Sequence, residues 1–236
     1  EIKSIFDRLL QENISIDTSN WIETLQDIKK STVDHRVFSD KLVNPMLLVQ
    51  HLSEKMDDDA ICVADVGQNQ LWSADNYVMK HGRFLTTGGF GTMGYGLPAA
   101  IGASVAANGS KPVIAVMGDG SFQMDLPEMG TMAQWDIPVK MVLFQNHRLG
   151  MVHEHQYLLY KSNYQAVEIE GKPDFAMLAK AYGFESGVAN ENSEVSEAID
   201  KMMAHDGSYL LIVNVNPFEP TGDALNEATL PKKEDK

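Results

Sequence analysis

Two side chains, Asp119 and Asn146, carry the donor atoms a divalent cation needs. Asp119 lies in Gly118-Asp119-Gly120-Ser121, directly behind the apolar run 111–117. Asn146 follows Gln145 at the end of a second apolar run, 137–144. A carboxylate and an amide oxygen are hard donors suited to Mg²⁺ or Ca²⁺. Mg²⁺ usually takes one or two protein carboxylates and fills its shell with water and substrate phosphates. Gly118 and Gly120 let the backbone approach such a ligand closely, and Ser121 can donate to it. The pattern points to a metal–diphosphate site.

The elements around these residues must bring them together. Run 111–117 is short, apolar and β-branched, and run 137–144 is similar, so both read as buried strands. Between them Met124, Leu126, Met129, Met132, Ala133 and Trp135 fall near helical spacing and predict one helical stretch. Strand, helix and strand over roughly 30 residues form a βαβ unit whose crossover is right-handed and returns the chain parallel. Parallel strands place their carboxyl ends on one edge of the sheet, where open α/β folds bind ligands. Asp119 and Asn146 should therefore leave that edge side by side.

The rest of the chain repeats the alternation. Asn44 before Pro45 marks a helix start, running to about Met56, and 60–64 is a strand ending in Asp65-Val66-Gly67-Gln68-Asn69-Gln70. A helix is expected from about Gln70 to Met79, a short strand at 83–85, a strand near 184–188, a helix from Ser193 to about Ala204 and a last buried strand at 209–215. Asp174 caps a helix through Tyr182, and the tail from Asn216 reads as loosely ordered. The fold class is α/β, a doubly wound and mainly parallel sheet with helices on both faces. Strand order stays open.

Residues 1–40 carry two amphipathic stripes, Ile2, Ile5, Phe6, Leu9, Leu10 and then Trp21, Ile22, Leu25, Ile28. They read as the helical tail of a preceding domain plus a linker, or as helices packed on the main domain, which spans 41–236. The chain of 236 residues has no initial Met, and a fragment is expected. Its net charge of −14 argues against a nucleic-acid groove or an anionic membrane as partner, and a diphosphate would need an intervening cation. Cys62 stands alone, so no disulfide framework is expected. With no long apolar run and no signal-like N-terminus, the cytoplasm is the expected compartment.

Two other motifs compete. Gly89-Phe90-Gly91-Thr92-Met93-Gly94 is a literal G-x-G-x-x-G before a helix, with Asp119 as a ribose-binding acid. That acid falls late for a dinucleotide site, and Gly118, Gly120 and Asn146 would be left without a role. His153-Glu154-His155 suggests a metal, but residues two apart do not share a helix face, so a surface or substrate-edge role is expected.

Gly118-Asp119-Gly120 followed after twenty-five residues by Asn146 resembles the signature of thiamine diphosphate (ThDP) enzymes. The stretches 65–72, 88–102 and 150–152 resemble the diphosphate-binding domain of their acetolactate synthase branch, the large catalytic subunit. The resemblance implies Mg²⁺ held by Asp119, Asn146 and the backbone carbonyl of Arg148. It places Val66, Gly67, Gln68 and Asn69 along the diphosphate and makes Met93 the prop for the bent cofactor. It continues the pocket through Leu149, Gly150, Met151 and Val152, with Gly91, Gly118, Gly120 and Ser121 also on the cofactor. Three positions depart from the family pattern: Gln145 where an asparagine is usual, Asn69 where the branch often has histidine, and His155 where many members have tryptophan.

The implied reaction is decarboxylation of pyruvate and condensation with a second pyruvate to 2-acetolactate, with the cofactor as electron sink. The activating carboxylate would come from the pyrimidine-binding domain of a neighbouring subunit, in a homodimer or homotetramer. Glu128 and Glu154 are the weakest of candidates for it here. The chain alone is thus expected to be silent, and FAD, if the full enzyme uses it, would sit outside this domain. Another ThDP carboligase or decarboxylase acting on a different 2-oxo acid, or a non-catalytic ThDP-binding module, would keep the same residues.

Overall fold

The computed structural model describes residues 2–12, 14–31, 40–171 and 173–221. The chain forms two compact units, 1–35 and 36–236. The first holds α1 (Ile2–Gln11) and α2 (Ser19–Ser31), and neither has a buried residue. Both helices form where their apolar spacing places them, with the stripes exposed.

The second unit runs α3 (Pro45–Lys55), β1 (Ile61–Ala64), α4 (Gln68–Asn76), β2 (Arg83–Thr86), α5 (Gly96–Ala107), β3 (Val113–Gly118), α6 (Asp119–Asp125), α7 (Glu128–Trp135), β4 (Lys140–Gln145), α8 (Gly150–Tyr160), α9 (Phe175–Ala181), β5 (Glu185–Ala189), α10 (Val195–Ala204) and β6 (Tyr209–Asn214), with a 3₁₀ turn at Asn192–Glu194. Local chemistry sets the ends. Asn44 accepts the N–H groups of Met46 and Leu47 ahead of Pro45, and Asp174 accepts that of Met177. Asn108 and Asp136 close α5 and α7 in the left-handed conformation their short polar side chains tolerate.

The six strands are all parallel, in the order β2-β1-β3-β4-β6-β5. Alternation along each strand sends side chains to two cores. Cys62, Ile114, Val116, Val142 and Leu211 pack with Leu48 and Leu52 of α3, Trp72 of α4 and Ile199 of α10. Val63, Ala115, Met117, Met141 and Leu210 pack with Leu97 of α5, Phe122 of α6, Met129 and Met132 of α7 and Phe175 of α9.

The single helix expected between β3 and β4 is two. Pro127 has no N–H for the helical ladder, and the chain breaks there into α6 and α7. Met124 and Trp135, counted in the apolar stripe, are exposed. Helix α4 also starts two residues earlier than its apolar pattern suggests, because Gln68 and Asn69 are buried for polar reasons described below.

Candidate functional site

The sheet order reverses between β1 and β3, since β2 lies on one side of β1 and β3 and β4 on the other. Such a switch point opens a crevice at the carboxyl ends of the strands. Gly118 pairs with Phe144 in the β3–β4 ladder, so Asp119 and Asn146 do emerge at adjacent strand tips. A cavity of about 240 Å³ lies here. Of the cofactor residues expected from sequence, all but Asp119 line it: Val66, Gly67, Gln68, Asn69, Gly91, Met93, Gly118, Gly120, Ser121, Asn146, Arg148, Leu149, Gly150, Met151 and Val152.

Asp119 sits at the start of α6 and is 2% exposed. Its Oδ2 accepts the backbone N–H of His147 at 2.7 Å, while Oδ1 is buried with no hydrogen-bond partner among the described residues. His147 has φ +58°, an uncommon conformation for a residue with a Cβ, and this aims its N–H at the carboxylate. Burial pushes the Asp119 carboxyl up to about 6, against the pull of the N–H groups of His147, Gly120 and Asn146. A buried carboxylate oxygen with nothing to bond is costly unless a positive charge meets it. Asn146 lies beside it, donating from Nδ2 to Gln68 Oε1 at 3.0 Å and accepting the N–H of Arg148 at Oδ1. Among the described residues no group of three His, Cys, Asp or Glu side chains could hold a metal. A cation here would rely on one carboxylate with amide and carbonyl oxygens, a donor set that fits Mg²⁺.

The walls are shaped for close approach. A Cβ on Gly150, the first residue of α8, would overlap Gln68 Oε1. Gly67 has φ +148°, and a Cβ there would come within 2.5 Å of Asn69 Oδ1. Asn69 is locked in turn, donating to the carbonyls of Asp65 and Val116. Asp65 holds the far side of the crevice, accepting the N–H of Gly96 at 2.8 Å where α5 begins. Asp125 of α6 accepts the next N–H, that of Leu97, at 3.3 Å. The backbone bearing the Gly-rich loop and Met93 is therefore anchored by two buried acids.

Two cavity residues escaped the sequence assignments, Trp72 and Phe144, which meet edge to face at 5.6 Å. The signal was there, since Phe144 ends the strand that leads to Asn146 and Trp72 lies one helical turn after Gln68. The loose tail expected from Asn216 needs correction as far as Thr221, beyond which residues are outside those described. Gln68 Nε2 donates to Glu219 O and Trp72 Nε1 to Pro220 O, both at 2.8 Å. Glu154 accepts the N–H and hydroxyl of Thr221.

Of the surface or substrate-edge role expected for His153-Glu154-His155, the surface reading is corrected for His153 and Glu154, which are buried, while His155 is exposed. His153 stacks on Tyr164 at 4.1 Å and meets Arg148 Nη1 at 3.1 Å. Burial and the Arg148 charge hold its pKa below the usual value. Glu128 accepts Thr131 Oγ1–H on α7. Neither Glu128 nor Glu154 lines the cavity.

A parallel sheet with a glycine-walled crevice at its switch point defines an α/β domain of the doubly wound, ligand-binding class. Residues 65–213 match the family model described as "Thiamine pyrophosphate enzyme, C-terminal TPP binding domain". The chain belongs to the thiamine pyrophosphate enzyme family. It is 39% identical over 213 residues to the probable acetolactate synthase large subunit of Methanococcus aeolicus, covering 88% of this chain and 35% of that protein. It is 37% identical over 222 residues to the acetolactate synthase isozyme 2 large subunit of Escherichia coli (strain K12), covering 93% and 39%. The crystal structure of benzoylformate decarboxylase from Polynucleobacter necessarius superimposes with a TM-score of 0.68 at 25% identity, covering 75% of this chain and 34% of that one. The chain thus spans a little over a third of the length of these relatives. Among the described residues no helix is long and apolar enough to cross a membrane.

Proposed function

We propose that this chain is the diphosphate-binding part of an enzyme that joins two pyruvates into 2-acetolactate with loss of CO₂, using ThDP and Mg²⁺. The observation that carries this is the buried Oδ1 of Asp119, without a partner among the described residues, beside Asn146 at neighbouring strand tips. Membership of the thiamine pyrophosphate enzyme family and the names of the acetolactate synthase relatives support it.

Asp119, Asn146 and the Arg148 carbonyl would hold the cation. Gly67, Gln68, Asn69 and Ser121 would receive the diphosphate, with Val66, Gly91, Gly118 and Gly120 giving it room. Met93, Leu149, Met151 and Val152 would give the site apolar walls, and Gly150 leaves space against Gln68. When bound, ThDP supplies an electron sink for loss of CO₂ from a 2-oxo acid.

Among the described residues no Asp or Glu side chain lines the cavity. The carboxylate that activates the aminopyrimidine would come from a pyrimidine-binding domain of a neighbouring subunit, within a homodimer or homotetramer. FAD, if used, would lie outside this unit, and the cytoplasm is the proposed compartment. The test is an acetolactate assay of the purified chain with pyruvate, ThDP and Mg²⁺, before and after adding a pyrimidine-binding domain from a relative. Silence alone and activity on mixing are expected; turnover by the chain alone would refute the half-site.

A further inference from the structure

An amide can face a cation with its oxygen or with its NH₂, and only the oxygen binds. The sense of the Asn146 amide is set by a chain of hydrogen bonds that begins at a backbone carbonyl. Glu219 O can only accept, so it takes Nε2 of Gln68, at 2.8 Å. Gln68 must then present Oε1 on its other side, where that oxygen accepts Nδ2 of Asn146 at 3.0 Å. Asn146 is left with Oδ1 directed away from Gln68, on the side where it accepts the N–H of Arg148 at 3.0 Å. Gln68, Asn146 and Glu219 are all buried, so a misdirected amide would set like atoms against each other where few other partners are in reach.

Glu219 owes its place to the residues after it. Glu154 of α8 takes both the N–H of Thr221 at 2.8 Å and its Oγ1–H at 2.6 Å. Trp72 of α4 donates to Pro220 O at 2.8 Å. The 219–221 turn is therefore clamped between α4 and α8, and Glu154 is the one charged side chain among these three anchors. Buried and off the cavity wall, it also reaches the Gln68 side chain directly by a hydrogen bond.

Resting on the Asp119–Asn146 cation site proposed above, we infer that Glu154 is a positioning residue. Through the 219–221 turn and Gln68 it fixes which atom of Asn146 the cation meets.

The test is calorimetric titration of ThDP into the full chain, with Mg²⁺ present and withheld, alongside thermal unfolding of the ligand-free protein. Glu154→Ala should weaken Mg²⁺-dependent binding about tenfold, as loss of an outer partner of a metal ligand does. Thr221→Val, which keeps shape and removes one hydroxyl, should weaken it severalfold, and it carries the comparison if Glu154→Ala does not fold. Asn146→Asp removes the distinction between the two ends of the side chain. In that background Glu154→Ala should change affinity by less than about twofold. Equal losses in both backgrounds would mark Glu154 as merely structural and overturn the inference, as would wild-type binding by both Glu154→Ala and Thr221→Val. If Asp119→Ala abolishes Mg²⁺-dependent binding while those two variants do not weaken it, the positioning role alone falls. If wild type and Asp119→Ala bind alike with or without Mg²⁺, the cation site falls and the inference with it.

Discussion

The backbone N–H of His147 donates to Asp119 Oδ2 at 2.7 Å, which leaves Oδ1 as the oxygen of that carboxylate with no partner among the described residues. The left-handed turn at His147 thus divides the carboxylate into one oxygen bonded to the backbone and one that no described group meets.

Replacing the charge should separate binding from stability. Asp119→Asn keeps an acceptor for His147 but loses the anion, so Mg²⁺-dependent ThDP binding should fall by about a hundredfold or more in calorimetry. The folded-state pKa of Asp119 is raised to about 6, so its contribution to stability is full below the unfolded carboxylate value and lost as pH rises through 6. At pH 8, without ligand, the Asn variant should therefore unfold at higher urea than wild type, by on the order of 1 kcal/mol.

Gly150→Ala sets helix propensity against space. At an exposed helical position the exchange would gain up to about 1 kcal/mol. Here the new Cβ would overlap Gln68 Oε1 and lie 2.8 Å from Asn146 Nδ2. A net loss of about 1–3 kcal/mol in urea unfolding is expected, together with loss of ThDP binding. A more stable variant would show that the Gln68 wall can retreat.

Asp125 gives a pH dependence away from the proposed cation site. Burial and the neighbouring Asp65 raise its pKa to about 7. The folded state thus holds a proton that the unfolded chain releases near pH 4, and stability should decline as pH rises from about 4 to about 7. Asp125→Asn retains an acceptor for Leu97 N–H and can donate to Asp65. It should flatten that part of the thermal-melt profile and raise the unfolding midpoint at pH 8.

Mixed with a complementing pyrimidine-binding domain, the chain should turn pyruvate into 2-acetolactate in preference to glyoxylate, sulfoacetaldehyde or oxalyl-CoA. Product analysis with each substrate checks this, and a preference for another 2-oxo acid would move the chain to a different branch of the family.

Much of this was legible in the sequence because it rests on local rules. Strand tips follow from apolar runs that end in Gly118 or Asn146, and caps follow from Asn44 and Asp174. The break at Pro127 was equally visible but was outweighed by the helical spacing of methionines on either side. The burial of Gln68, Glu154 and Glu219 was not legible, since polar residues read as surface unless their partners are known. Those partners lie far away in the chain, and only the folded sheet brings α4, α8 and the 219–221 turn to one place. Strand order was hidden for the same reason.

Gln68 and the carbonyl it serves are 151 residues apart. During synthesis the ribosome has therefore built every strand of the sheet before it adds Glu219. A nascent chain stalled short of that point should have its β-structure and hold the coenzyme at least about tenfold more weakly than one that reaches Thr221. Coenzyme capture would then report completion of this unit, and stalled chains of graded length probed with a ThDP pull-down would show the step.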